Sequence, residues 1–173
     1  MLLTAPTSAS VHLRQSEGYK KINVMKYFCL LIGLAFCNSI KAQSAEDSVR
    51  SAVNQLFTAM KNADSALLVS TFSDSAILQT IVDKNGKIQV KTESVVDFAA
   101  LVATMQKDFL DERIVFDVVR IDGPLAIVWT PYKFYYKGKF SHCGTNSFQL
   151  VRINGNWKIQ YLVDTRRREG CEN

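Results

Sequence analysis

Two spacings of apolar residues divide the chain downstream of residue 43. Val49, Val53, Leu56, Phe57 and Met60 recur at helical intervals behind Ser44 and Asp47, which resemble a capping box, and predict a long amphipathic helix to about Asn62. Asp64 is placed to cap a second, shorter helix carrying Leu67, Leu68 and Phe72. Ala76 to Val82 and Ile88 to Val90 then flank Asp83-Lys84-Asn85-Gly86-Lys87, whose Asn-Gly pair tolerates the positive φ of a tight hairpin turn. Ser94 with Asp97 predicts a third helix, with Val95, Phe98, Val102, Met105 and Phe109 on one face. From Arg113 the period becomes two, and β-branched and aromatic residues dominate. The predicted strands are Arg113 to Ile121, Leu125 to Tyr136, Lys139 to Ile153 and Trp157 to Thr165. Asp122-Gly123-Pro124, Lys137-Gly138 and Asn154-Gly155-Asn156 supply the turns between them. Helices followed by a four-stranded antiparallel meander define an α+β class, not an alternating α/β one.

The strand Leu125 to Tyr136 is apolar or aromatic on both faces, unlike a strand with one solvated side. One face is expected to pack on the helices. The other, with Ile127, Trp129 and Tyr135, needs cover, which a second copy in a homodimer supplies. The alternative is a highly curved sheet that wraps around its own contents.

Charge changes its meaning once the first 42 residues are set apart. Lys26, with Lys20 and Lys21 upstream, precedes the apolar run Tyr27 to Phe36, and Ala42 offers a small residue before Gln43. Met25 to Ala42 therefore reads as a signal peptide cleaved after Ala42, with translation starting at Met25 and the segment Met1 to Val24 excluded from the fold. Its apolar run falls short of the roughly 20 residues that span a bilayer, so no stable membrane insertion is expected after cleavage. A lipoprotein signal ending at Cys37 is the weaker alternative, because bulky Phe36 precedes it. The leader takes with it Arg14, Lys20, Lys21, Lys26, Lys41 and Glu17. Lys plus Arg falls from 21 to 16 and Asp plus Glu from 16 to 15, so the expected exported domain, residues 43–173, carries +1. With that, the electrostatic case for a nucleic-acid partner disappears.

Cys143 and Cys171 remain in this domain, either as a disulfide tying the tail to the sheet or as two free thiols. One histidine and two thiols give no metal-ligand spacing, and no phosphate loop, nucleophile elbow or dinucleotide fingerprint is present. No cofactor or metal is expected. Along Lys139 to Val151 the even positions Phe140, His142, Asn146, Phe148 and Leu150 share a face if no bulge intervenes, which turns His142 and Asn146 toward the core; Gly144 is the candidate bulge. His142 near Asp164 is either a general acid or base or a buried histidine with a structural hydrogen bond. Tyr132, Phe134 and Tyr136 alternate on one face of the preceding strand, with the phenols placed to orient a flat or carbonyl-bearing ligand. Pro131, which lacks a ladder donor, suggests a bulge or edge that re-aims Tyr132. Asp164 and Arg166 are expected to pair or to hold a polar group of the ligand, Arg166 to Arg168 to form a solvated edge, and Trp157 to plug the core.

The order helix, helix, hairpin, helix, meander, together with FQLVRINGNWKIQYLVDTRR near the end, resembles the nuclear transport factor 2-like superfamily. Gly155, Asn156, Trp157, Lys158 and Ile159 match the superfamily's frequent G-x-W-K-I lead into the last strand, supported by Phe148 and Leu150. The likeness is to its exported bacterial branch, grouped with SnoaL-like and lumazine-binding-like proteins. It implies a cystatin-like cone, a curved antiparallel sheet wrapped around a long helix with a pocket at the open end, commonly in a homodimer. A site of the scytalone dehydratase type, which needs two histidines, is excluded by the single His142, and the acid and tyrosine of ketosteroid isomerase have no matching positions. The expected function is binding of a small apolar or aromatic molecule, with Tyr132, Tyr136, His142, Asn146, Asp164 and Arg166 as candidate contacts. One alternative is a cofactor-independent isomerase, dehydratase or cyclase using His142, with Asp164 orienting it and Tyr132 polarising a carbonyl. The other is a protein-interaction module with a filled cone.

Overall fold

A computed structural model of the protein describes residues 45–171. Helix α1 (residues 45–62) buries Val49, Val53, Leu56, Phe57 and Met60, the stripe its spacing predicts; Ser44 of the expected capping box and the leader Met1 to Ala42, Cys37 included, lie outside the described residues. At α2 (Ser65–Thr71) the Asp64 carboxylate accepts from the Leu67 N–H at 2.8 Å. Phe72 does not extend that helix. It is extended (φ −96°, ψ 158°) and opens strand β1 (Phe72–Lys84), while the Thr71 hydroxyl turns back to the Leu68 carbonyl. After β2 (Lys87–Glu93), Ser94 Oγ accepts from Asp97 N–H at 3.0 Å and starts α3 (Val95–Ala103). This helix is shorter than its apolar stripe predicts, leaving Met105 and Phe109 beyond its end. Thr104 Oγ1 returns to the Leu101 carbonyl, and Asp108, at φ 67°, donates its N–H to the Lys61 carbonyl at 2.7 Å, which ties this segment to the end of α1.

Five further strands complete one sheet: β3 (Leu110–Ile114), β4 (Val118–Asp122), β5 (Leu125–Tyr136), β6 (Lys139–Ile153) and β7 (Asn156–Arg166). Strand order is β2-β1-β7-β6-β5-β3, with β4 also on β5. The meander is antiparallel, but β1 joins β7 in parallel, so the sheet is mixed. Three hairpins turn on two residues of positive φ each, as at Asn85-Gly86 (56° and 76°) and Asn154-Gly155 (50° and 82°). The expected strand Arg113 to Ile121 is two strands. Ile114 pairs with Tyr132 and Val118 with Trp129, so three residues oppose Thr130 and Pro131. Pro131 has no N–H to continue the ladder and can only accept, from Val115 N–H at 2.9 Å.

A second irregularity falls at Ser141 and not at Gly144. Phe134 pairs with His142 and Tyr135 with Phe140, which turns Phe140 to the outer face while His142, Asn146, Phe148 and Leu150 stay inside. Against that inner face the helices close the core: the Phe57 and Phe148 rings meet edge to face at 6.2 Å, and full burial of Phe148 contributes about 2–3 kcal/mol. Trp157 is buried, and its indole N–H donates to Ser48 Oγ of α1 at 3.1 Å. The three helices thus pack on one face of a curved, open sheet, an α+β architecture.

Candidate functional site

The helices do not fill the concave side of the sheet completely. A cavity of about 410 Å³ remains, walled by apolar side chains of α1 (Leu56, Phe57, Met60), α3 (Phe98, Leu101) and the sheet (Leu78, Leu110, Phe134, Leu162). Polar groups converge at one end, because the register places them in rows. Glu112 of β3 pairs with Phe134 of β5, which pairs with His142 of β6; Thr130, Asn146 and Asp164 form a second row, beyond the intervening pair Tyr132 and Gly144. Paired residues project from the same face.

Glu112 is the group that sequence reasoning missed. Its strand begins at Leu110, so Leu110, Glu112 and Ile114 alternate on the inner face, and a carboxylate stands where the pattern calls for an apolar residue. Asn146 Nδ2 donates to Glu112 Oε1 at 2.8 Å and lies 3.4 Å from Thr130 Oγ1. Burial, reinforced by the charge of Asp164, pushes the Glu112 carboxyl up to about 7 against the opposing effects of the Asn146 hydrogen bond and Arg166. The partial accessibility that Glu112 retains is to the cavity it lines, while protein atoms surround it deeply.

Asp164 is buried and fully engaged. Oδ1 accepts from Thr80 Oγ1 at 2.6 Å, and Oδ2 accepts from Arg166 Nε at 2.8 Å and from the Tyr132 hydroxyl at 3.1 Å. The expected pairing of Asp164 with Arg166 is therefore present. Tyr132 does not reach the cavity as expected. It is buried, and its hydroxyl crosses Gly144 to bond the Thr165 carbonyl at 2.9 Å as well as Asp164. Only glycine fits beneath it, since a Cβ at position 144 would stand 1.8 Å from the Thr165 oxygen and 2.8 Å from the phenol. With its one proton shared between the Thr165 carbonyl and the Asp164 carboxylate, and with burial followed by the charges of Asp164 and Glu112 raising its pKa, the Tyr132 phenol is a structural strut and not a carbonyl-polarising group.

His142 lines the cavity with Tyr136, Asn146, Asp164 and Arg166. Its Nδ1 shares a hydrogen bond of 3.1 Å with Ser141 Oγ, not with Asp164, and its ring packs on Phe134 at 5.0 Å between centroids. Burial, then the charges of Arg166 and Arg168 against the opposing charge of Asp164, lower its pKa and favour the neutral imidazole. The expected His142–Asp164–Tyr132 constellation is consequently not assembled as an acid–base relay. Arg166 to Arg168 are exposed, and with His142 and Asp83 they border a separate surface concavity. Next to His142, Cys143 is joined to Cys171 by a disulfide (Cα to Cα 5.7 Å), and Cys143 also pairs with Arg167 through two backbone hydrogen bonds of 2.9 Å. Among the described residues no three His, Cys, Asp or Glu side chains converge to hold a metal ion.

This helix-on-curved-sheet arrangement is the nuclear transport factor 2-like, or cystatin-like, fold. A nuclear transport factor 2-like protein of unknown function from Shewanella baltica superposes with a TM-score of 0.57 at 14% identity, over 73% of this chain and 96% of that one. A cystatin-like domain of unknown function from Nostoc punctiforme gives 0.55 at 20% identity, over 71% and 78%. A proposed dehydratase of the nuclear transport factor 2-like family from Streptomyces avermitilis gives 0.55 at 15% identity, over 73% and 98%. No protein-family model and no curated protein matches the sequence.

Proposed function

We propose that the protein is an exported binding domain for a small apolar or aromatic molecule, held in the cavity between α1, α3 and the inner face of the sheet. The observation that carries this reading is the cavity itself: about 410 Å³ in size, apolar along its walls and polar at one end, within the range of small-molecule sites. An interaction module with a filled cone fits this open interior less well. The enzymatic alternative loses its expected relay, since Tyr132 is committed to Asp164 and to backbone and His142 bonds Ser141. Of the expected contacts, Tyr136, His142, Asn146, Asp164 and Arg166 remain at the cavity, and Glu112 joins them.

The outer face of β5 supports a homodimer as the second part of this reading. Leu125, Ile127 and Trp129 are each more than 40% exposed; their outer-face partners are Val151, Gln149 and Ser147 on β6 and Asp122, Arg120 and Val118 on β4, an apolar centre flanked on one side by a charge of each sign and suited to a copy of itself. The test of the binding role is extraction of the purified protein and mass spectrometry of the extract, repeated with Leu162→Trp, which fills the cavity. A small apolar compound retained by the wild type and lost from the variant is expected. Equal retention by both, or no retention with no gain in thermal stability from any apolar aromatic compound, contradicts it.

A further inference from the structure

The polar end of the cavity carries one carboxyl oxygen, Oε2 of Glu112, that no described residue bonds. Both oxygens of Asp164 accept hydrogen bonds, Arg166 is fixed by Asp164 and Thr80, and Asn146 Nδ2 donates to Glu112 Oε1. Oε2 of Glu112 accepts no hydrogen bond from any described residue, and it is not sealed in the protein, since no buried side-chain oxygen lacks a partner. It opens on the cavity that Glu112 lines. The Asn146 donor also fixes where a proton on Glu112 resides. With Oε1 occupied as an acceptor, protonation of Glu112 is favoured at Oε2, the oxygen left open to the cavity.

The surrounding charges decide what that O–H meets. Facing Glu112 from β7 are Asp164 and Arg166, a hydrogen-bonded ion pair that cancels itself; β6 contributes His142, β5 contributes Tyr132 and Tyr136, and β2 contributes Glu93 at its end. Helices α1 and α3 present only apolar side chains. Asp164 and Arg166 neutralise one another beside Glu112, and the unpaired charge of Glu93 stands exposed to solvent, where it is screened, so neither sign of ligand finds a free buried partner here.

Building on the binding role above, we propose that the cavity selects uncharged apolar molecules bearing one hydrogen-bond acceptor of the carbonyl type, which accepts from Glu112 Oε2–H while Asn146 holds the opposite oxygen. Glu112 is then the specificity-determining residue, and binding is linked to its protonation. No bond in the ligand is made or broken.

Three probes of one shape test this on the full chain: acetonaphthone, with a carbonyl acceptor; ethylnaphthalene, with none; and naphthylethylamine, a cation. At about pH 6, acetonaphthone is expected to bind about tenfold tighter than ethylnaphthalene, the worth of one hydrogen bond in an apolar site. That preference is expected to vanish by about pH 8.5, where Glu112 is ionised. Glu112→Gln, whose amide reproduces the neutral acid's donor, is expected to keep the preference at both pH values. Tighter binding of naphthylethylamine than of acetonaphthone, or a wild-type preference that ignores pH, overturns the proposal even if the variant fails to fold. Equal binding of all three overturns this selectivity and leaves the binding role standing; binding of none overturns both.

Discussion

Glu112 occupies an inward position where its neighbours Leu110 and Ile114 obey the apolar pattern, and its stability effect is legible through protonation. The folded-state value near 7 lies above the ordinary 4.5, so between these limits the native state binds more protons than the unfolded chain, and stability falls as pH rises through that window. Glu112→Gln removes this loss. Relative to the variant, the wild type is expected to lose about 2 kcal/mol in urea unfolding between about pH 5 and pH 8, and parallel pH curves would refute the assignment. Gly144 is the second residue whose identity the geometry dictates. Gly144→Ala drives a methyl into the Thr165 carbonyl and the Tyr132 ring, and a loss of about 3 kcal/mol is expected in the same measurement; a loss under about 1 kcal/mol would contradict the strut role of Tyr132.

At the scale of elements, what could be read from the sequence was what local chemistry imposes. Asn85-Gly86 and Asn154-Gly155 mark their hairpins because positive φ selects those residues, and Asp64 and Ser94 mark helix starts because their oxygens meet free N–H groups. Registers that depend on a distant strand were not legible. The parallel pairing of β1 with β7 joins residues about 84 apart in sequence, such as Thr80 and Asp164, and nothing near either strand announces it. The shift at Ser141 turned Phe140 outward, and the start of β3 at Leu110 brought Glu112 inward, each a consequence of moving a period-two pattern by a residue or two. The candidate site was partly legible for the same reason: His142, Asn146 and Asp164 lie on strands with clear alternation, while Glu112 lies at a poorly marked strand start. The disulfide adds an element-level restraint, closing the tail onto β6 beside His142 across a sequence separation of 28. Cys143→Ser/Cys171→Ser is expected to lower unfolding free energy by about 3 kcal/mol, and an unchanged midpoint with and without reductant would show that the tail is held by its backbone pairing alone.

For the molecule as a whole, one face of the sheet is spent on the helices and the cavity, and the other exposes Ile127 and Trp129. Trp129→Lys is expected to convert a dimer into a folded monomer in sedimentation at micromolar concentration, and a wild type that sediments as a monomer would contradict the second copy. The inner face carries the central claim, that the cavity is where a ligand binds. Its most direct test is a methyl-resolved NMR titration of the wild type with acetonaphthone at about pH 6, where Glu112 is protonated. Shifts are expected at the cavity methyls of Leu56, Met60, Leu110 and Leu162, with Leu125 and Ile127 on the outer face unmoved. Shifts confined to Leu125 and Ile127, or none anywhere up to the solubility of the probe, would contradict the account.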